Sequence, residues 1–480
     1  MRGPGAVLAA ALALGAAACT VGPDYERPPA PVPQAFKELT GWKPAAPQDD
    51  SDKGAWWAIY HDPELDRLER MVEVSNQTVK EFEAQYRNAV ALVAEARASL
   101  FPSVGLTGGA SRSGGARGAS SSAGAQYSIN GTVSWDLDVW GRVRRQVESN
   151  VAGAQVSAAD LANAKLSAQT TLATDYFDLR AEDALADLLR DTAAAYRRAL
   201  QITENQYSAG VSSSVDVVTA RAQLQSTEAQ LVGVGVQRQQ YEHAIAILTG
   251  HAPAELTIAP APLASAVPVV PPGLPSALLE RRPDIAAAER QMQQQNALIG
   301  VQLAAFYPDI SLSAQGGLTG GALANLFSLG SSNVWSLGAS MTETLFSAGA
   351  RSAAVAAARA TYDQSVATYR QTVLTALQQV EDALSNLRIL EQQAAAQALA
   401  VESARRAVEA TLNAYRAGTV AYTSVITQQT LLLSDRQAAL SVQQSRLVAS
   451  VALVTALGGG WSAAALPGRG AMEDSQPLVP

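Results

Sequence analysis

The chain lacks most of what enzymes and nucleic-acid binders use. It has one cysteine and three histidines, with no Cys, His, Asp or Glu cluster at metal-ligand spacing, so no metal is expected. A single cysteine excludes an intramolecular disulfide. No phosphate loop, dinucleotide fingerprint or Gly-x-Ser-x-Gly elbow occurs, and no reactive constellation suggests an enzyme. Charged residues are only 16%, where soluble proteins carry roughly 25%. The net charge of −8, without interleaved basic and aromatic residues, argues against nucleic acid. Beyond the N-terminus no run of about 18 apolar residues appears, which excludes a bundle of membrane-spanning helices. Proline is missing from Ser103 to Ala252 and from Asp309 to Leu466. Nothing in those stretches need interrupt a long helix.

What is present is a duplication. Tyr207-Ser-Ala-Gly210 and Tyr415-Arg-Ala-Gly418 lie 208 positions apart, and Gly141/Gly349, Ser157/Ser365, Arg180/Arg388 and Leu224/Leu432 keep that offset. Phe101-Pro-Ser-Val104 answers Tyr307-Pro-Asp-Ile310 at an offset of 206. Each unit is predicted to run helix, strand hairpin, very long helix, turn and returning helix. The expected division is a first repeat over 64–252, a Pro-rich crossover linker over 253–275 and a second repeat over 276–457. A tail over 458–480 reads as loose.

The N-terminus has the layout of a secretory signal over 1–18: Arg2, an apolar run from Ala6 to Leu14, then small residues before Cys19. A cysteine there resembles a bacterial lipobox, with Ala16 where leucine is usual. Acylation of Cys19 is the expectation, and ordinary cleavage beside an incidental cysteine is the alternative. Thr20 follows, without the aspartate of an inner-membrane retention signal, so the outer membrane is the expected address. Residues 19–63 form a Pro-rich strap for which Trp56, Trp57 and Tyr60 are candidate docking points. Asp62 suits an N-cap and Pro63 the first position of a helix to about Leu100.

After Phe101 the hydrophobic period changes from 3.6 to 2. Tyr127, Ile129, Val133, Trp135, Leu137 and Val139 alternate with Ser128, Asn130, Thr132, Ser134, Asp136 and Asp138. Trp335, Leu337, Ala339 and Met341 alternate similarly in the second repeat. Apolar outside and polar inside is the pattern of a membrane β-barrel. About four strands per chain cannot close a barrel, and open edges are not tolerated in lipid, so further copies must complete it. Two copies would leave a filled interior, whereas three leave a channel. Asp136 and Asp138 are candidate lumen residues, or simply a solvated face.

Residues 141–208 and 349–416 read as unbroken helices of about 100 Å, too long for a globular core and suited to side-by-side coiled-coil packing. The returning helices are expected over about 213–249 and 421–457. Gly210 and Gly418 suit the turns between them.

With these elements placed, the chain resembles the outer-membrane factors. These are the TolC-like family, in particular the OprM- and NodT-like efflux lipoproteins. The resemblance rests on Cys19-Thr-Val-Gly-Pro-Asp-Tyr-Glu-Arg-Pro28, Trp56-Trp57 with Asp62-Pro-Glu-Leu65, and Leu274-Pro-Ser-Ala-Leu-Leu-Glu-Arg-Arg-Pro-Asp-Ile285. Ala304-Ala-Phe-Tyr-Pro308 and the two Tyr-x-Ala-Gly turns complete it. It implies a homotrimer, mostly α-helical, with a twelve-stranded membrane β-barrel over a coiled-coil tunnel. It implies a passive exit duct for small molecules, working with a periplasmic membrane-fusion adaptor and an inner-membrane pump of the resistance-nodulation-division type. A type I polypeptide secretion channel and a lipid-anchored coiled-coil scaffold are the alternatives. No cofactor is implied beyond lipid on Cys19. Tyr207, Gly210, Val211, Tyr415, Gly418 and Thr419 then resemble the adaptor-docking tips. Asp216, Ser424, Val425 and Thr427 are candidates for the gate. Thr427 stands where many relatives carry an aspartate, which favours a neutral or apolar constriction. Asp216 could equally serve only its helix dipole.

Overall fold

The computed structural model describes residues 20–39, 55–114, 124–270, 275–327 and 333–474. Cys19, the signal segment 1–18 and Leu274 lie outside the described residues.

Helix α1 spans Pro63–Ser75. Asp62 caps it, its side chain accepting from the N–H groups of Glu64 and Leu65. The expected single helix breaks at Asn76, and α2 runs over Gln77–Ala98. Asn76 causes the break. Its backbone is extended, its Oδ1 accepts from the Val79 N–H at 3.0 Å, and its Nδ2 donates to the Leu248 carbonyl at 2.8 Å. Strand β1 (Ser103–Ser113) and β2 (Gly124–Leu137) follow. Then come α3 (Arg142–Ser208, 67 residues) and α4 (Ser214–Leu248, 35 residues).

The second repeat copies the first. A helical turn at Leu278–Arg281 and α5 (Pro283–Ala304) lead to β3 (Asp309–Gly320) and β4 (Asn333–Thr342). Helix α6 (Ala350–Arg416) again has 67 residues and α7 (Tyr422–Ala456) again has 35. All four bounds of α6 and α7 lie 208 positions beyond those of α3 and α4. Arg282 takes the place of Asn76. It is extended, and its Nη1 donates to the Ala456 carbonyl at 2.8 Å, as Asn76 does to Leu248. Left-handed Gly250 and Gly458 make the following close approach possible. A side chain there would collide with the carbonyl of Ser75 or of Arg281.

The strands form one antiparallel sheet in the order β1-β2-β3-β4, and among the described residues β1 and β4 are its free edges. The register keeps the two faces distinct. Val104 pairs with Val133, Trp135 with Leu312, Leu137 with Ile310, and Ala314 with Leu337. Directly paired residues share a face, so the apolar side chains of all four strands gather on one side. Beneath the sheet α2, α3, α5 and α6 pack in strand order, and farther from it the order is α4, α3, α7, α6. No described helix is long and apolar enough to cross a membrane.

The main apolar core lies where the two helix layers meet. Trp56, Trp57, Leu65 and Leu68 pack there with Tyr176, Phe177, Tyr369 and Leu447. The strap and the linker are stitched to the long helices at corresponding places. The Glu381 carboxylate accepts from the N–H groups of Lys37 and Glu38, and Arg388 pairs with Glu38. On α3 the counterpart Arg180 donates to the Ala259 carbonyl and pairs with Asp183, which Arg238 also holds at 2.7 Å. The tail, expected to be loose, is docked over its described part. Met472 is buried with Val90, Val93 and Val147, because three left-handed glycines at 458–460 turn the chain back onto the helices.

Candidate functional site

The two hairpin tips have the same backbone. Gly210 and Gly418 both have φ +74°, a conformation that costs other residues about 1–2 kcal/mol. The Val211 N–H reaches back to the Gln206 carbonyl, and the Thr419 N–H to that of Ala414. These bonds satisfy carbonyls that a helix end leaves unpaired.

Their side chains differ. At the first tip Ser213 and Asp216 form a capping box. The Ser213 hydroxyl accepts from the Asp216 N–H at 3.2 Å, and the Asp216 carboxylate accepts from the Ser213 N–H at 3.1 Å. Tyr207 and Val211 are exposed, as are Val215 and Val218. At the second tip Ala421 provides no side-chain cap. Instead Tyr415 meets Tyr422 with ring centroids 5.2 Å apart, and both are buried with Val425 and with Ala220 of the first hairpin. Burial pushes the Tyr422 hydroxyl up to about 12, against the pull of its Thr203 hydrogen bond. Tyr207 is 52% exposed while its counterpart Tyr415 is 7% exposed.

Of the gate candidates, the structure leaves Thr427 exposed and Ser424 half-buried. Val425 is fully buried in the seam between hairpins, so in this conformation it seals the hairpins together and lines no opening. The Asp216 carboxylate is engaged by its own helix start. Sequence reasoning missed Tyr422. The signal was available, since tyrosine replaces Ser214 at the corresponding position of the repeat.

At the other end, Asp136 lies on the polar face of β2, at the edge of a cleft of about 550 Å³. Trp140, Arg142 and Asp309 line the same cleft, and Arg142 pairs with Asp309 at 3.6 Å. Asp138 borders the same cleft. It sits just past β2 with its carboxylate accepting from the N–H groups of Val143 and Arg144, both at 2.9 Å. It also pairs with the Arg144 side chain. The start of α3 has unpaired N–H groups and a positive dipole end, and both draw the carboxylate away from the strand.

Thr20, the first described residue, packs against Gly141 at this level, and the Val21 N–H donates to the Trp140 carbonyl. Arg145 holds the strap through the Gly22 carbonyl and Asp24. In the stretch Arg281-Arg282-Pro283-Asp284, buried Arg282 is a hub. It binds both oxygens of Asp284, Gln379 of α6 and the end of α7.

The sheet, the paired long helices and the duplicated tips match one family twice over. Outer membrane efflux protein is the family matched, across residues 70–251 and again across 274–459. The chain belongs to the outer membrane efflux protein family. Among relatives, the probable efflux pump outer membrane protein TtgC of Pseudomonas putida is 30% identical over 464 residues, covering 92% of this chain and 93% of TtgC. The pyoverdine export outer membrane protein OpmQ of Pseudomonas aeruginosa is 30% identical, covering 95% and 96%. The solved outer-membrane channel OprN superposes with a TM-score of 0.85 at 30% identity, covering 92% of this chain and all of OprN. The open state of the Neisseria gonorrhoeae MtrE outer membrane channel gives 0.80 at 26% identity, covering 93% and 99%. Each matched stretch holds one strand pair and one long helical hairpin.

Proposed function

We propose that three copies of this chain form the outer-membrane exit duct of a three-part efflux pump. The observation that carries this is the sheet. All four strands turn apolar side chains to one face, both edges are open, and the strands lead directly into paired 67-residue helices. In lipid an open edge must be paired, so β1 of one copy meets β4 of the next. Three copies give twelve strands and leave a lumen. The long helices continue that lumen as a periplasmic tunnel.

The chain supplies no energy, so an inner-membrane pump, of the resistance-nodulation-division type, drives small-molecule cargo. A periplasmic adaptor joins the pump to the tips, where Tyr207, Val211 and Thr419 are exposed. Lipid on Cys19 anchors the strap. The packing of Thr20 on Gly141, just beneath the sheet, supports this.

The test is single-channel conductance in a planar bilayer with the mass in detergent. A trimeric mass with discrete conductance steps is expected. A monomer without conductance, even with the tip hairpins truncated, overturns the duct. The anchor has its own test: mass spectrometry of the mature N-terminus shows acyl chains on Cys19 or their absence.

A further inference from the structure

Each repeat fastens the far end of its returning helix with a clasp. Asn76 holds the Leu248 carbonyl at the end of α4, and Arg282 holds the Ala456 carbonyl at the end of α7. Gly250 and Gly458 complete the two clasps against Ser75 and Arg281. The second clasp is a charged hub whose guanidinium keeps its proton at any physiological pH. The first is neutral, and its place depends on α1, which ends at Ser75.

Helix α1 buries an acid. Glu69 is fully buried on the face that also buries Leu65, Leu68 and Val72, and neither of its carboxylate oxygens has a hydrogen-bond partner among the described residues. At the offset that relates Asn76 to Arg282, Glu69 answers buried Pro275, and Val72 answers buried Leu278. The second repeat thus fills this position with an apolar side chain, where the first places a carboxyl group.

Among the described residues no neighbour supplies a counter-ion. On α1 itself Glu73 lies one turn on and accepts from Gln169 of α3 at 3.4 Å. Helix α3 also carries Lys165, 4.0 Å from Glu83, and Asp175, beside Asp178. Its Arg180 is bound to Asp183 and to the Ala259 carbonyl, and its Tyr176 hydroxyl donates to Asp62. The turn Trp56–Tyr60 offers the Tyr60 hydroxyl, hydrogen-bonded to Ser450. Helix α2 offers Lys80, which is exposed, and His251 follows α4. Burial, and then the Glu73 charge, push the Glu69 carboxyl up to about 9.

We propose that Glu69 is a proton-holding residue that makes the clasp on α4 sensitive to pH, while the clasp on α7 stays constant. With its proton, Glu69 is tolerated as a neutral acid in apolar surroundings. Without it, an unpaired carboxylate must reach water, and α1 lifts from α3 to let it. Ser75 and Asn76 move with α1, so the end of α4 is released. Because the folded value is raised above the ordinary 4.5, the packed helix favours the neutral acid. Its contribution is whole below 4.5 and is lost as pH rises towards about 9. Acid therefore stiffens the root of the first hairpin, and alkali frees it.

The clasp lies within one chain, so its failure would leave the duct untouched. Hydrogen exchange is read in the full-length protein over residues 245–250 and over their counterparts 453–458. Both segments share the same intrinsic dependence on pH, and their ratio cancels it. Between about pH 6 and pH 8 the protection of 245–250 relative to 453–458 should fall roughly tenfold or more. Glu69→Gln, a neutral isostere, and Glu69→Leu, an apolar residue of similar volume, should each hold the ratio within about twofold. A flat ratio in the native protein overturns the proposal. An equal fall in either variant also overturns it, since the titration would then belong to another group.

Discussion

At Tyr207–Ser213 and again at Tyr415–Ala421 the chain makes one turn twice and holds it in two ways. Both turns use a left-handed glycine and the same carbonyl-satisfying bonds. The first is then closed by its own capping box, with its tyrosine and valines left in solvent. The second has no cap and is closed by burying Tyr415, Tyr422 and Val425 against the first hairpin. Duplication therefore preserved the backbone and left the side chains free to diverge. The first tip is autonomous, and the second depends on its neighbour. A hairpin held chiefly by apolar contact to another hairpin can be released as a unit, which is what a gate requires.

The largest effect should come from removing the contact that only the second tip has. Tyr422→Ala deletes an aromatic side chain that is 3% exposed. Large-to-small changes of this kind cost about 3–5 kcal/mol in cores. Hydrogen exchange over residues 412–426 should accelerate by two orders of magnitude or more, and single-channel conductance should rise. Ser214→Ala at the corresponding place should change neither beyond error. Equal responses of the two variants would remove the distinction between the tips.

The same contact should respond to alkali. The Tyr422 hydroxyl is raised above the ordinary tyrosine value, first by burial and then by the nearby Tyr415, Tyr196 and Asp216. A raised folded value means that the packed tip favours the neutral phenol. Its contribution is whole below about pH 10 and is lost as pH rises towards about 12. At roughly 1.4 kcal/mol per unit the loss reaches about 3 kcal/mol. Conductance should increase across that window in the native protein, and Tyr422→Phe should abolish the increase. An unchanged profile in Tyr422→Phe would assign the transition to another group.

How much of this was legible in the sequence depends on how far away the decisive partner lies. The ends of α3, α4, α6 and α7 could be read because their causes are local: absence of proline, glycine at fixed positions and good helix formers between. The strand faces followed from alternation alone. The break at Asn76 could not be read, since it depends on Leu248, 172 positions away. The period-2 pattern includes Asp138 without disclosing that its carboxylate accepts from the N–H groups at the start of α3. The conspicuous Arg-Arg-Pro-Asp stretch marked the family without disclosing that Arg282 binds the end of α7. Val425 was a reasonable pore candidate on its own helix, and only the packing of the two hairpins shows that it faces Ala220.

The next prediction probes what the tips share. Gly418→Val places a β-branched residue at φ +74°, costing about 1–3 kcal/mol. Gly210→Val meets the same backbone angle, and a Cβ encounters nothing within 4 Å at either site. The strain should therefore be equal and the consequences unequal. Because the second tip relies on its placement against the first, Gly418→Val should impair export with trimer mass unchanged. Gly210→Val should affect export less. The reverse order would show that the exposed first tip is the more demanding of the two.

The smallest effect isolates the feature peculiar to the first tip. Ser213→Ala removes the hydroxyl that accepts from the Asp216 N–H, a cap worth about 1 kcal/mol. Asp216→Asn keeps an acceptor for the Ser213 N–H but discards the charge at the helix start, worth about 0.3–1 kcal/mol at an exposed site. Both should speed hydrogen exchange in residues 211–219 about fivefold and leave 419–427 unchanged, because the capping box touches only its own hairpin. The assay also decides what Asp216 does. If Asp216→Asn alters the conductance or ion preference of the trimer while local exchange stays normal, its carboxylate acts on the pore. If exchange changes and permeation does not, the charge serves the helix.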